Sequence, residues 1–207
     1  MGNSITFGPL QMSAVHEMAN IGLGHATTAL SELTGHSFNM SIPSVDSVPV
    51  NTISALVGGE ETVCVGVFMP IEGDVEGHIA FLFPWGSAQR IWTLLIGSAP
   101  AEVSAVGELE ASAMLEVGNI LNSSFLNALS DMTGLALHAT PPMVSVEMAS
   151  AIAQSIVAEA EQREVVALAI ETAIFDEAEA TRGYFLCIPT LAGLQLLFER
   201  LGIAEAA

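Results

Sequence analysis

Ser13-Ala14-Val15-His16-Glu17-Met18-Ala19-Asn20 returns later in the chain, altered but recognisable, as Ser112-Ala113-Met114-Leu115-Glu116-Val117-Gly118-Asn119. The offset is 116 − 17 = 99 for the glutamates and 119 − 20 = 99 for the asparagines. The same step carries Leu30 onto Leu129, Thr34-Gly35 onto Thr133-Gly134 and Pro43 onto Pro142. A period of this length is too long for a solenoid unit and suits a duplicated half-domain. No Pro/Gly/Ser-rich linker or block of charge separates the halves, so residues 1–207 read as one domain with a pseudo-two-fold axis. Its repeats span about 10–98 and about 102–203.

Residues 10–34 carry apolar or small side chains at 12, 15, 19, 22, 23, 26, 30 and 33, which share one face of a helix. Ser13, Glu17, Asn20, Gly24, Thr28 and Ser31 form a second stripe well away from the first, so Glu and Asn point outward together. Thr34-Gly35 signals the helix end. A strand over 37–45 follows, then a short helix over 50–57, two strands over 62–69 and 76–83, and a helix from Pro84-Trp85 to about Ile96. The turn-forming run Pro70-Ile71-Glu72-Gly73-Asp74 makes those two strands an antiparallel pair. The second half repeats the order: helix 102–132, strand 135–146, short helix 147–159, strands 165–174 and 183–188, helix 189–201. The closing prolines are 189 − 84 = 105 apart, so the second half carries about six extra residues, placed around 175–182. The expected architecture is α+β (α/β): α-β-α-β-β-α twice, an antiparallel sheet, and two long helices that each expose one face.

Composition narrows the function. The chain is 51% hydrophobic and only 13% charged, yet no run approaches the ~18 apolar residues of a membrane span. The first sixteen residues lack the basic start of a secretory signal, so no membrane insertion is expected and the cytoplasm is the expected address. The net charge of −19 sets 23 acids against Arg90, Arg163, Arg182 and Arg200, with no lysine at all. Such a surface repels polyanions, which argues against nucleic acid and anionic lipid and favours a basic or mixed protein partner. Cys64 and Cys187 lack CxxC spacing and sit in apolar runs, as buried reduced thiols do.

A lone Glu-x-x-Asn on a helix is ordinarily a solvated face, but its duplication at fixed spacing calls for a reason. The pair supplies no thiol, no paired carboxylates and no His-Glu spacing for zinc, so no nucleophile, resident metal or cofactor is expected. An amide does accept one hydrogen bond and donate another, which fixes how a water points. Water-positioning glutamines do this in nucleotide hydrolases, where phosphoryl transfer is catalysed mostly by placement. A carboxylate one turn away can hold a partner's cation. Neither motif helix carries Arg or Lys, so a phosphate handled here must bring its own neutralising metal and cation. That describes a phosphorylated protein with an active site of its own.

The pattern Asp/Ser-x-x-x-Glu-x-x-Asn, then twenty-two residues and Pro, is met by Ser13, Glu17, Asn20 and Pro43 and again by Ser112, Glu116, Asn119 and Pro142. In this the chain resembles the CheC/CheX/FliY family of chemotaxis phosphatases, and Asn20-Ile21-Gly22-Leu23-Gly24-His25-Ala26-Thr27-Thr28-Ala29-Leu30-Ser31 and Glu116-Val117-Gly118-Asn119-Ile120-Leu121 also resemble CheC. Two motifs in one chain resemble CheC more than CheX, which carries one and dimerises. The length leaves no room for the extra C-terminal flagellar-switch domain of FliY. The resemblance implies a hydrolase whose substrate is the aspartyl phosphate of a CheY-type response regulator, with the regulator keeping the Mg2+. Asn20 or Asn119 would orient the attacking water, and Glu17 or Glu116 would pair with the regulator's lysine. Ser13, Gly24, Ser112 and Ser123 are expected to line the partner-binding stripe, with Gly24 and Ser123 leaving room for close approach. Serine at the first motif position, rather than Asp, departs from the pattern in both copies.

The alternative is a non-catalytic adaptor that binds the regulator or a CheD-type deamidase. A third reading, an unrelated oligomeric scaffold, requires Glu17 and Asn20 to be buried. His16 and His25 have no counterpart in the other copy, where Leu115 and Ser124 stand, and read as surface or packing histidines. Gly22 and Gly118 lie on the inner stripes and are expected to let each long helix cross its neighbour closely. Trp85, Trp92, Met12, Met18, Met40 and Met69 read as core.

Overall fold

Cys64-Val65-Gly66-Val67 and Ile79-Ala80-Phe81-Leu82-Phe83 are buried at every position. Strands lose the alternation of a half-exposed sheet in this way only when both faces are covered. The computed structural model describes residues 8–35, 37, 39–159, 166–175 and 180–203. In chain order its elements are α1 (Pro9–Thr34), β1 (Asn39–Pro49), a 3-10 turn (Val50–Thr52), α2 (Ile53–Leu56), β2 (Val63–Gly73), β3 (Gly77–Pro84) and α3 (Trp85–Ile96). After a second 3-10 turn (Val103–Ala105) come α4 (Glu108–Thr133), β4 (Leu137–Ala139), β5 (Met143–Met148), α5 (Ala149–Glu159), β6 (Val166–Phe175), β7 (Ala180–Pro189) and α6 (Leu191–Arg200). Val65, Val67, Ile79, Phe81 and Phe83 pack beneath α1, α3, α4 and α6 on one face of the sheet. Cys64, Ala80 and Leu82 meet α2 and α5 on the other.

The seven antiparallel strands run in the order β1-β6-β7-β3-β2-β4, with β5 also on the free side of β2. Each repeat supplies a hairpin, β2-β3 or β6-β7, and the two hairpins meet along β3 and β7. The outer strand of each hairpin is then covered by the first strand of the other repeat: β1 lies on β6, and β4 with β5 lies on β2. Neither repeat completes its half of the sheet alone. This exchange is the form the duplication takes in space.

The prolines that follow the two motifs have a role in this sheet. Pro43 sits where the register of β1 on β6 shifts, between Ser41 and Ser44, and Pro142 separates β4 from β5. Proline donates no backbone hydrogen bond and is tolerated at bulges and edge strands, where it also blunts edge-to-edge association. The single strand expected over 135–146 is therefore two.

Other boundaries move for local reasons. α4 begins at Glu108 instead of 102, after Gly107, whose N–H donates to Glu110 Oε2 at 2.9 Å. α1 is capped identically, Gly8 N–H donating to Gln11 Oε1 at 2.8 Å, so the repeat reaches back to the caps, since 8 + 99 = 107 and 11 + 99 = 110. Both helices close on a left-handed glycine, Gly35 at φ 69° and Gly134 at φ 70°. Pro84 is the N-cap of α3 and not part of its first turn, β5 runs on to Met148 so that α5 starts at Ala149, and Thr190 caps α6. Leu33, expected on the inner face, is 55% exposed. Trp92 is buried, with its N–H donating to Glu110 O at 2.8 Å, and Trp85 meets it edge-on. Phe38, Val165 and residues 176–179, on which parts of the strand and insertion readings fell, lie outside the described residues.

Candidate functional site

Burial of one face fixes what the opposite face shows. Val15, Met18, Ala19, Leu23, Ala26 and Leu30 of α1 are buried, as are Met114, Val117, Leu121, Phe125 and Leu129 of α4. Ser13, Glu17, Asn20 and Gly24 are consequently exposed on α1, and Ser112, Glu116 and Asn119 on α4, with Ser123 half-buried. Exposure of Glu17 and Asn20 removes the scaffold reading, which required them inside.

Two glycines set how the helices sit. A Cβ on Gly22 would stand 2.8 Å from the Phe125 Cα, so α1 and α4 cross there in backbone contact. Gly118 also permits close approach, but to the Val67 side chain of β2, so the neighbour it admits is the sheet and not a helix. Gly24, on the outer stripe, would place its Cβ in open space.

The two sites differ in one respect that sequence reasoning missed. Asn20 Nδ2 donates to His16 Nδ1 at 2.9 Å, which requires the His16 tautomer protonated at Nε2. The bond uses an amide hydrogen and leaves Asn20 Oδ1 free to accept from water. In the second copy Leu115 replaces His16, and Asn119 has no side-chain partner among the described residues. The signal was present in the i,i+4 spacing of His16 and Asn20, which brings such side chains together on a helix. Asn122 was missed as well. Wholly buried one turn past Asn119, it finds no hydrogen-bond partner for either amide atom among the described residues, while its counterpart is Leu23.

Neither motif helix carries Arg or Lys, and among the described residues no three His, Cys, Asp or Glu side chains gather as a metal cluster. Two clefts among the described residues, one of about 400 Å3 between Asn51, Glu60 and Gln154 and one of about 510 Å3 between Phe68, Met143 and Ile156, lie against α5 on the other face of the sheet. The motif side chains instead stand on an open helical surface. Small-molecule sites are concave. An exposed stripe suits a macromolecular partner that brings its own cavity.

The model of the CheC-like family matches residues 10–46 and 109–146, which hold both Glu/Asn pairs and both downstream prolines. The CheY-P phosphatase CheC of Bacillus subtilis is 30% identical over 196 residues, covering 93% of this chain and 94% of that protein. The chain belongs to the CheC-like family. Its fold is shared with FliY of Thermotoga maritima, at a TM-score of 0.80 and 18% identity over 97% of this chain and 100% of that one. It is shared more loosely with a CheX-CheY-BeF3-Mg2+ complex from Borrelia burgdorferi, at a TM-score of 0.53 and 16% identity over 84% of this chain and 98% of that one. Among the described residues of this CheC-like chain no helix is long and apolar enough to cross a membrane.

Proposed function

We propose that this chain hydrolyses the aspartyl phosphate of a CheY-type response regulator. The observation that carries the reading is the pair of exposed Glu/Asn sets, repeated at one spacing on helices that hold no cation. The relatives point the same way, one bearing the name of a CheY-P phosphatase and another of this fold bound to CheY. Each motif helix lies across the regulator's phosphorylation pocket. Asn20 or Asn119 accepts a hydrogen bond from a water and aligns its oxygen with phosphorus, opposite the aspartyl oxygen. As the water oxygen bonds to phosphorus, the P–O bond to aspartate breaks. The aspartate leaves as carboxylate, and phosphate and a proton are released. Glu17 or Glu116 holds a cationic side chain of the regulator, and Mg2+ remains on the regulator as part of the substrate. Ser13, Gly24, Ser112 and Ser123 line the contact. Placement alone suffices for this chemistry, because the charge stabilisation is already on the substrate.

The test is the decay of a phosphorylated CheY-type regulator in Mg2+ buffer, with and without this chain. Faster decay is expected. Tight binding with unchanged decay would make the chain an adaptor instead, and neither binding nor faster decay would remove the reading altogether.

A further inference from the structure

Seven large apolar side chains are exposed among the described residues: Leu10, Leu33, Val103, Leu109, Met143, Met148 and Leu191. Only one pair of them obeys the repeat, since 109 − 10 = 99. Leu10 is 73% exposed and Leu109 is 62% exposed, and each occupies the second position of its motif helix. Scattered exposed leucines need no explanation. A leucine left in solvent at the same place in both halves does. Capping does not account for it, because the Gly8/Gln11 and Gly107/Glu110 bonds close both N-termini without it.

The helix geometry says what the pair faces. Leu10 precedes Glu17 by seven residues, two turns, and so lies almost directly in line with it, about 10 Å along the axis. Leu10, Ser13, Glu17, Asn20 and Gly24 form one continuous stripe, and Leu109, Ser112, Glu116, Asn119 and Ser123 form the other. A macromolecular partner that covers the carboxylate and amide and reaches two turns towards the helix N-terminus meets the leucine. The carboxylate is the only charge on either stripe; Glu108 and Glu110 flank Leu109 off that line in the first turn of α4, and Glu110 is engaged by the Gly107 N–H.

Resting on the function proposed above, we infer that Leu10 and Leu109 are the apolar anchors by which each motif helix seats the regulator. They fill an apolar depression on its receiver domain about 10 Å from the cation met by Glu17 or Glu116. An anchor on the same rigid helix as the Asn fixes the register of the water-positioning amide over phosphorus. It also supplies affinity that an acidic surface alone lacks. Moving a solvent-exposed leucine out of water on docking is favourable in proportion to the apolar area covered.

The test uses the full chain with one site silenced. In an Asn119→Ala background, Leu10→Ala and Leu10→Asp are compared with Leu10→Met, and the Leu109 variants are compared likewise in an Asn20→Ala background. Initial rates of dephosphorylation are measured against regulator concentration. We expect KM to rise about tenfold or more with Ala and Asp, the saturating rate to stay within about twofold, and Met to restore KM. A KM indifferent to Leu10→Asp and Leu109→Asp, in a chain that does accelerate decay, overturns the anchors and leaves the phosphatase reading standing. A wild-type chain that leaves decay unchanged removes both. Variants that alter only self-association, read by sedimentation, with KM unmoved, assign the leucines to a contact between copies and also overturn the proposal.

Discussion

At the scale of single residues, the two sites share a carboxylate and an amide but not the support of the amide. His16 holds one hydrogen of Asn20, whereas Leu115 leaves Asn119 unheld. In an Asn119→Ala background, His16→Leu should slow dephosphorylation by about 2- to 10-fold, the weight of one net hydrogen bond, with KM unmoved. In an Asn20→Ala background the same change should do nothing, and an equal effect in both would tie His16 to the fold rather than to Asn20. Asn122 offers a test of packing. Replacing its partnerless buried amide by the leucine found in the other repeat should raise stability by about 1–3 kcal/mol in urea unfolding. A loss of stability would mean that the amide is satisfied after all. The Glu/Asn pairs were legible because their types and spacing repeat. The roles of His16 and Asn122 were not, because each occurs in one copy only and a single copy carries no pattern.

At the scale of elements, α1 carries two glycines separated by one residue and set in opposite environments. Gly22→Ala should destabilise by about 1–3 kcal/mol, because the new methyl meets the Phe125 backbone and α4 must shift. Gly24→Ala should stabilise by up to about 1 kcal/mol from helix propensity, since its Cβ meets nothing, yet it should raise KM if the stripe lies against the regulator. Denaturant midpoints and initial rates on the two variants separate these effects, and equal midpoints would contradict the crossing. The helices were readable to within a residue or two wherever apolar periodicity and glycine caps agreed. The exception was α4, whose 3-10 turn at Val103–Ala105 carries residues that also suit a helix. The split between β4 and β5 follows from Pro141-Pro142, a doublet that deprives one edge of two donors.

At the scale of the molecule, duplication was visible as an offset of 99 residues, but the exchange of first strands between repeats was not. Offset says which residues correspond; it does not say whether β1 pairs within its own half or across, because both pairings bury the same faces. The thiols of Cys64 and Cys187, their pKa pushed up to about 11 and about 12 by burial, belong to this doubly covered sheet. What remains is a molecule that presents two exposed helical stripes, on α1 and α4, which pack against each other and on one face of the sheet. The most direct measurement is the phosphate-release rate from a phosphorylated CheY-type regulator with the wild-type chain, Asn20→Ala, Asn119→Ala and the double variant, each checked for unchanged unfolding. The account predicts partial loss in each single variant and about 100-fold loss in the double one, down towards the regulator's own decay. A folded double variant as active as wild type would contradict it.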